Sequence, residues 1–206
     1  MAVWDVEIIR LNDQSDPRAH LPLMGAAAML GARRIKLVCD SDDHVRAAHL
    51  LNHLCELAMP FGLTLDLEYT VFSGVRSLAA ALALVAAVGR PNLKVLVDAL
   101  HWMRAGDDAP SLGAAQSLGA LGYVQLCDGP LRAPVGHEAL IQEARTNRLV
   151  PGDGEFPLHT LLDAMPQDCV ASLEVPLPPG REPLAHAQRL NRAARLLTER
   201  HEQGAS

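Results

Sequence analysis

Short apolar runs rich in β-branched residues alternate along this chain with longer stretches whose apolar residues recur at helical spacing. The pattern predicts strands over residues 3–9, 35–39, 64–69, 94–100, 123–127 and 170–175. Residues 44–59 place Val45, Ala48, Leu51, Leu54, Cys55 and Ala58 on one helical face, and Pro60 and Gly62 stop the helix. A second helix is predicted over 77–88, closed by Gly89 and Pro91. Further helices are predicted over 23–30, 111–118, 158–165 and 184–200.

Strands alternating with helices imply a parallel sheet with right-handed crossovers. No Gly-x-Gly-x-x-Gly joins a strand to a helix, and no Gly-x-x-x-x-Gly-Lys-Ser/Thr occurs, so nucleotide-binding folds lose their support. Equal βα units without such a loop point to a β/α barrel, here one domain over residues 1–206. Residues 176–183 read as a strand-to-helix loop within it.

Composition narrows the class. Hydrophobic residues make up 49% of the chain, which excludes disorder over most of its length. A net charge of −6 argues against nucleic-acid or anionic-membrane partners, because phosphate binding needs clustered positive charge. Cys39, Cys55, Cys127 and Cys169 form no C-x-x-C pair and read as small buried thiols in a reducing compartment. There is no charged start followed by an apolar run, and the Ala-rich stretch over 78–88 is too short to span a bilayer. The expectation is a soluble, cytoplasmic protein.

Parallel strands covered on both faces should be almost purely apolar, yet four runs carry polar residues near their C-terminal ends. These are Glu68, then Asp98 with His101, then Gln125 with Asp128, then Glu174. In a β/α barrel the active site sits at that end of the strands. One such acid is better read as a solvated strand end or a helix cap, and Asp128, followed by Gly129-Pro130, as a turn residue. Four matching positions favour a shared site, because converging buried carboxylates need a cation between them. Oxygen donors suit Mg²⁺ or Mn²⁺; an added imidazole would also suit Co²⁺ or Zn²⁺, with zinc the poorer expectation. Lys36 and Lys94 both open strands and are expected at the opposite end, which argues against a Schiff-base mechanism.

The segments Leu-Asp-Leu-Glu-Tyr (65–69), Val-Asp-Ala-Leu-His (97–101), Tyr-Val-Gln-Leu-Cys-Asp (123–128), Arg-Leu-Val-Pro-Gly-Asp-Gly-Glu (148–155) and Ser-Leu-Glu-Val (172–175) carry a resemblance. The sequence resembles the xylose isomerase-like barrel superfamily of sugar phosphate isomerases and epimerases, which also includes the endonuclease IV group. The resemblance implies an α/β fold, the (β/α)8 TIM barrel. It implies Glu68, Asp98, Gln125 and Glu174 as metal ligands, with His101 and Arg132 at the substrate. Gln125 stands where sugar epimerases have a His, a departure similar to the 3-dehydroshikimate dehydratase branch. The four ligand positions would lie on the fifth to eighth strands, so the chain carries strands three to eight of an incomplete barrel. A truncated gene model, a shortened homologue or an assembly filling the gap would each account for this.

These readings imply a divalent-metal-dependent isomerase or epimerase of carbohydrate metabolism acting on a small polyhydroxy carbonyl compound. The metal would stabilise an enediolate, and Glu68 and Glu174 would exchange the α-proton from either side. Arg132 or Arg148 would hold a carboxylate or phosphate. Loss of a β-hydroxyl from the same intermediate would make the protein a dehydratase-like lyase. A non-catalytic remnant serving as a binding module is the alternative from another class, and its open sheet edges would favour a homo-oligomer. A repair endonuclease lacks its His-rich zinc cluster and basic groove.

Overall fold

A computed structural model of the protein describes residues 2–177 and 179–204. Six strands, β1 (Asp5–Leu11), β2 (Arg34–Cys39), β3 (Thr64–Glu68), β4 (Leu93–Asp98), β5 (Leu121–Leu126) and β6 (Ala171–Leu173), form one sheet in sequence order. Every neighbouring pair is parallel. The intervening helices are α1 (Leu21–Met29), α2 (His44–Ala58), α3 (Leu78–Val88), α4 (Ala99–Ala105), α5 (Ala109–Ser117), α6 (His137–Thr146) and α7 (Leu158–Asp163), followed by α8 (Pro183–Gly204). None of the described helices is long and apolar enough to cross a membrane.

Local chemistry fixes where these helices start. Asp43 accepts hydrogen bonds from the Val45 and Arg46 amides, and Ser77 Oγ accepts one from Ala80, so each satisfies amides that have no partner inside the helix. Gly89 ends α3 in the left-handed region at φ 63°, which a residue without Cβ adopts freely. The strand predicted over 94–100 ends two residues early: Asp98 caps α4 by accepting from the His101 amide at 3.1 Å. Helix α6 was not predicted. Its N-cap is Gly136, which makes no side-chain cap hydrogen bond, so the usual start signal is missing.

The sheet has two different faces. Ile35, Leu37, Leu65, Leu67, Val95, Val97, Val124 and Leu126 join Leu51, Leu54, Ala81, Leu84, Leu112 and Ala115 of the helices in one buried apolar core. The alternate strand positions carry polar groups in two tiers, consistent with the period of two along a strand. In the lower tier Arg34 pairs with Asp66 at 2.5 Å, and the Tyr123 hydroxyl donates to Asp5. Two residues further along, Lys36, Glu68, Gln125 and Glu7 form the upper tier. Contacts between β1 and β5 require the sheet to curl strongly, because three strands separate them in the sheet order. A break in the β4–β5 register between Val95 and Val97 brings the Gly122 backbone against this lower tier. A Cβ there would lie 2.0 Å from Asp66 Oδ1.

The result is an incomplete barrel, as six βα units require: among the described residues β1 pairs only with β2, and β6 only with β5.

Candidate metal centre

Glu68 ends β3 and Asp98 ends β4, while Gln125 lies next to Asp98 across the β4–β5 ladder. Glu174 follows β6 directly, and its amide donates to the Leu126 carbonyl at 3.1 Å, which carries the ladder one residue further. Carboxylate oxygens of Glu68, Asp98 and Glu174 all lie within 4.8 Å of one another. Glu68, Asp98 and Gln125 are buried, and the Glu174 side chain keeps 30% exposure. Among the described residues this is the one group of three such side chains able to hold an ion.

Two cations already touch it. Lys36 Nζ donates to Glu174 Oε2 at 2.9 Å and to Gln125 Oε1 at 3.0 Å. It lies 3.2 Å from Glu68 Oε1, an ion pair without hydrogen-bond alignment, and that oxygen has no hydrogen-bond partner among the described residues. The partly exposed Glu7 Oε1 stands 3.8 Å away and accepts from Gln125 Nε2 at 3.0 Å. Arg148 Nη1 donates to Asp98 Oδ2 at 2.6 Å, and its Nη2 is 3.4 Å from Glu174 Oε1.

The expectation for Lys36 is therefore corrected. Its Cα lies early in β2, but its four-carbon stem carries the ammonium up into the acid cluster. The same signal that picked out Glu68, a charge inside an apolar strand, was present in Ile35-Lys36-Leu37. The position of Lys36 therefore does not exclude a Schiff-base mechanism. Burial works to lower its pKa, but Glu68, Glu174 and Glu7 outweigh that and hold it protonated, well above the ordinary range.

The electrostatics of the others follow from burial and these partners. Burial pushes the Glu68 carboxyl up to about 8, against the pull of Lys36. Burial acts to raise Asp98 too, but Arg148, with His101 and Lys36, holds it below the usual carboxylate range. His101 packs edge-on against Phe72 with its ring centroid 5.3 Å away, and its Nδ1 has no hydrogen-bond partner among the described residues. Burial lowers its pKa to about 4, so the imidazole is neutral near pH 7.

The remaining predicted site residues separate. Arg148 is buried and engaged by Asp98, Glu174 and the Ala144 carbonyl, so it supports the cluster from inside the protein. Arg132 is exposed on the loop after β5, with no described hydrogen bond or ion pair to the cluster. Asp128 accepts from the amides of Gly129, Gly152 and Phe156 and pins two loops together, the turn role expected of it.

The donor set fits a hard divalent ion. Oxygens bound at roughly 2.0–2.6 Å to one centre lie at most about 5 Å apart, which the three carboxylates satisfy at 4.8 Å. A sequence profile of the xylose isomerase-like TIM barrel family matches residues 21–198. The chain belongs to that family. No curated protein sequence matches it. Among solved structures it is similar to the IolI protein with a bound zinc atom, with a TM-score of 0.78 and 19% identity over 94% of this chain and 77% of that one. It is also similar to an L-ribulose 3-epimerase, with a TM-score of 0.72 and 18% identity over 92% and 69% of the two chains. A third likeness is to the probable 3-DHS dehydratase AsbF of Bacillus anthracis, with a TM-score of 0.68 and 17% identity over 93% and 76%. At these identities the likeness establishes a shared fold. Solved structures that share the fold include two epimerases and a probable dehydratase, so the fold is one used by enzymes.

Proposed function

We propose that this family member is a divalent-metal-dependent isomerase or epimerase that moves a proton next to the carbonyl of a small polyhydroxy compound. The observation that carries the reading is the convergence of Glu68, Asp98 and Glu174 within 4.8 Å at the ends of successive strands. Glu68, Asp98, Gln125 and Glu174 would hold the ion, Mg²⁺ or Mn²⁺ by their oxygen donors, with Co²⁺ a further candidate and Zn²⁺ a poorer match. When bound, such an ion supplies Lewis-acid polarisation of a carbonyl oxygen.

The chain's own groups then divide the work. Glu174 is the most accessible carboxylate of the cluster, partly exposed, and would be the proton acceptor for a substrate entering from solvent. Glu68, buried across from it, returns the proton. Arg148 keeps Asp98 ionised and Glu174 oriented through its two nitrogens. His101, as a neutral buried imidazole beside Asp98, would be a substrate contact, and Arg132, exposed on the loop after β5, would be the candidate for an anionic substrate group.

One observation favours a second reading. Gln125 gives the cluster an amide where an imidazole would bring a titratable group, and a probable 3-DHS dehydratase shares the fold. Expulsion of a β-hydroxyl after the same proton abstraction would give a lyase. The deciding experiment is a screen of Mn²⁺-, Mg²⁺- and Co²⁺-reconstituted protein against ketoses, their phosphates and 3-dehydroshikimate. Epimerised or isomerised sugar supports the first reading and an unsaturated product the second. Inactivity of fully metal-loaded protein on every class would leave the non-catalytic alternative standing.

A further inference from the structure

The Lys36 ammonium sits where a metal ion would have to enter. Its nitrogen is 2.9 Å from Glu174 Oε2, 3.0 Å from Gln125 Oε1 and 3.2 Å from Glu68 Oε1, and all three residues belong to the proposed ligand set. A divalent ion needs ligand oxygens at roughly 2.0–2.6 Å. An ammonium drawing on the same side chains competes for their lone pairs, and two cations at such range repel.

We propose that Lys36 is a resident cation that competes with the divalent ion for Glu68, Gln125 and Glu174, so that metal binding requires its side chain to withdraw. The inference rests on the metal-binding reading of the site. Three features support it. First, the chain contains only two lysines, Lys36 and Lys94, and arginine supplies the rest of its positive charge. At this position a compact charge on a flexible four-carbon stem can move, whereas a planar guanidinium is held by its fixed fork of donors, as Arg148 is here. Second, Glu7 lies 3.8 Å from the ammonium, outside the ligand set and partly exposed, and offers a second partner after withdrawal. Third, the cluster must be compensated when no metal is bound, because clustered buried carboxylates left unpaired are costly. Lys36, at Glu68 and Glu174 Oε2, and Arg148, at Asp98 and Glu174 Oε1, supply that compensation.

The inference predicts that Lys36 weakens metal affinity while it stabilises the metal-free protein. The test is titration of Mn²⁺ into the full chain by calorimetry, comparing the wild type with Lys36→Met and Lys36→Gln. Folding is checked by circular dichroism and melting temperature with and without Mn²⁺. The expected result is that both variants bind Mn²⁺ at least about tenfold more tightly than the wild type. They should also melt lower without Mn²⁺ and gain more from it. If a variant folds only when Mn²⁺ is added, the same conclusion follows. Equal or weaker binding in the folded variants overturns the competition and leaves the metal site itself standing. Absence of Mn²⁺ binding in all three proteins overturns the metal reading and this inference with it. Variants that stay unfolded at saturating Mn²⁺ overturn it as well, since the metal then cannot take the place of the ammonium.

Discussion

Arg148 Nη1 lies 2.6 Å from Asp98 Oδ2, with both side chains almost wholly buried. The same guanidinium donates through Nε to the Ala144 carbonyl at 2.9 Å, so one residue links the last turn of α6 to the end of β4. Removing one partner leaves the other as an unpaired buried charge. Arg148→Met should therefore cost roughly 3–5 kcal/mol of stability, measured by urea denaturation. The double variant with Asp98→Asn should recover part of that loss. A loss below about 1 kcal/mol would mean that the pair behaves as a solvated one.

Gly122→Ala tests the lower tier of the barrel. The new Cβ would lie 2.0 Å from Asp66 Oδ1 and 3.0 Å from Arg34 Nη1, so the partly buried Arg34–Asp66 pair must shift. The expected cost is about 1–3 kcal/mol, seen as a lowered melting temperature. An unchanged melting temperature would show that this part of the sheet yields easily.

Much of this was legible in the sequence, and the failures have physical causes. The six strands stand out because parallel strands with helical cover are apolar runs, and Glu68, Asp98, Gln125 and Glu174 stand out as breaks in those runs. The strand pattern shows only that the Lys36 Cα lies early in β2, whereas its long side chain carries the charge well beyond the backbone. The start of α4 was hidden because Ala99 and Leu100 continue the apolar strand pattern, while Asp98 both ends β4 and caps the helix. Helix α6 gave no cap signal at Gly136. Contacts such as Tyr123 to Asp5, which show how far the sheet curls, join residues far apart in sequence and leave no local trace.

Glu174→Gln should leave the fold intact and reduce turnover by roughly 10²–10⁴-fold on whichever substrate is found, because an amide keeps the shape and cannot accept a proton. Activity assays alongside melting curves check this. Near-normal turnover would remove Glu174 from the proton-transfer step.

The sheet edges make a prediction about solution behaviour. Among the described residues no strand pairs with the outer edge of β1 or of β6. Unpaired edges recruit other strands, so sedimentation velocity should show self-association that grows with concentration. A single monomeric species from micromolar to near-millimolar protein would contradict it.

The central claim is that Glu68, Asp98, Gln125 and Glu174 form a cation site. Its most direct measurement is an anomalous difference map from crystals of the protein soaked in millimolar Mn²⁺, recorded near the manganese edge. The account predicts one strong peak among the carboxylates of Glu68, Asp98 and Glu174, with the Lys36 ammonium moved away from Glu174. A map without a peak there, with Lys36 still seated between Glu174 and Gln125, would contradict it.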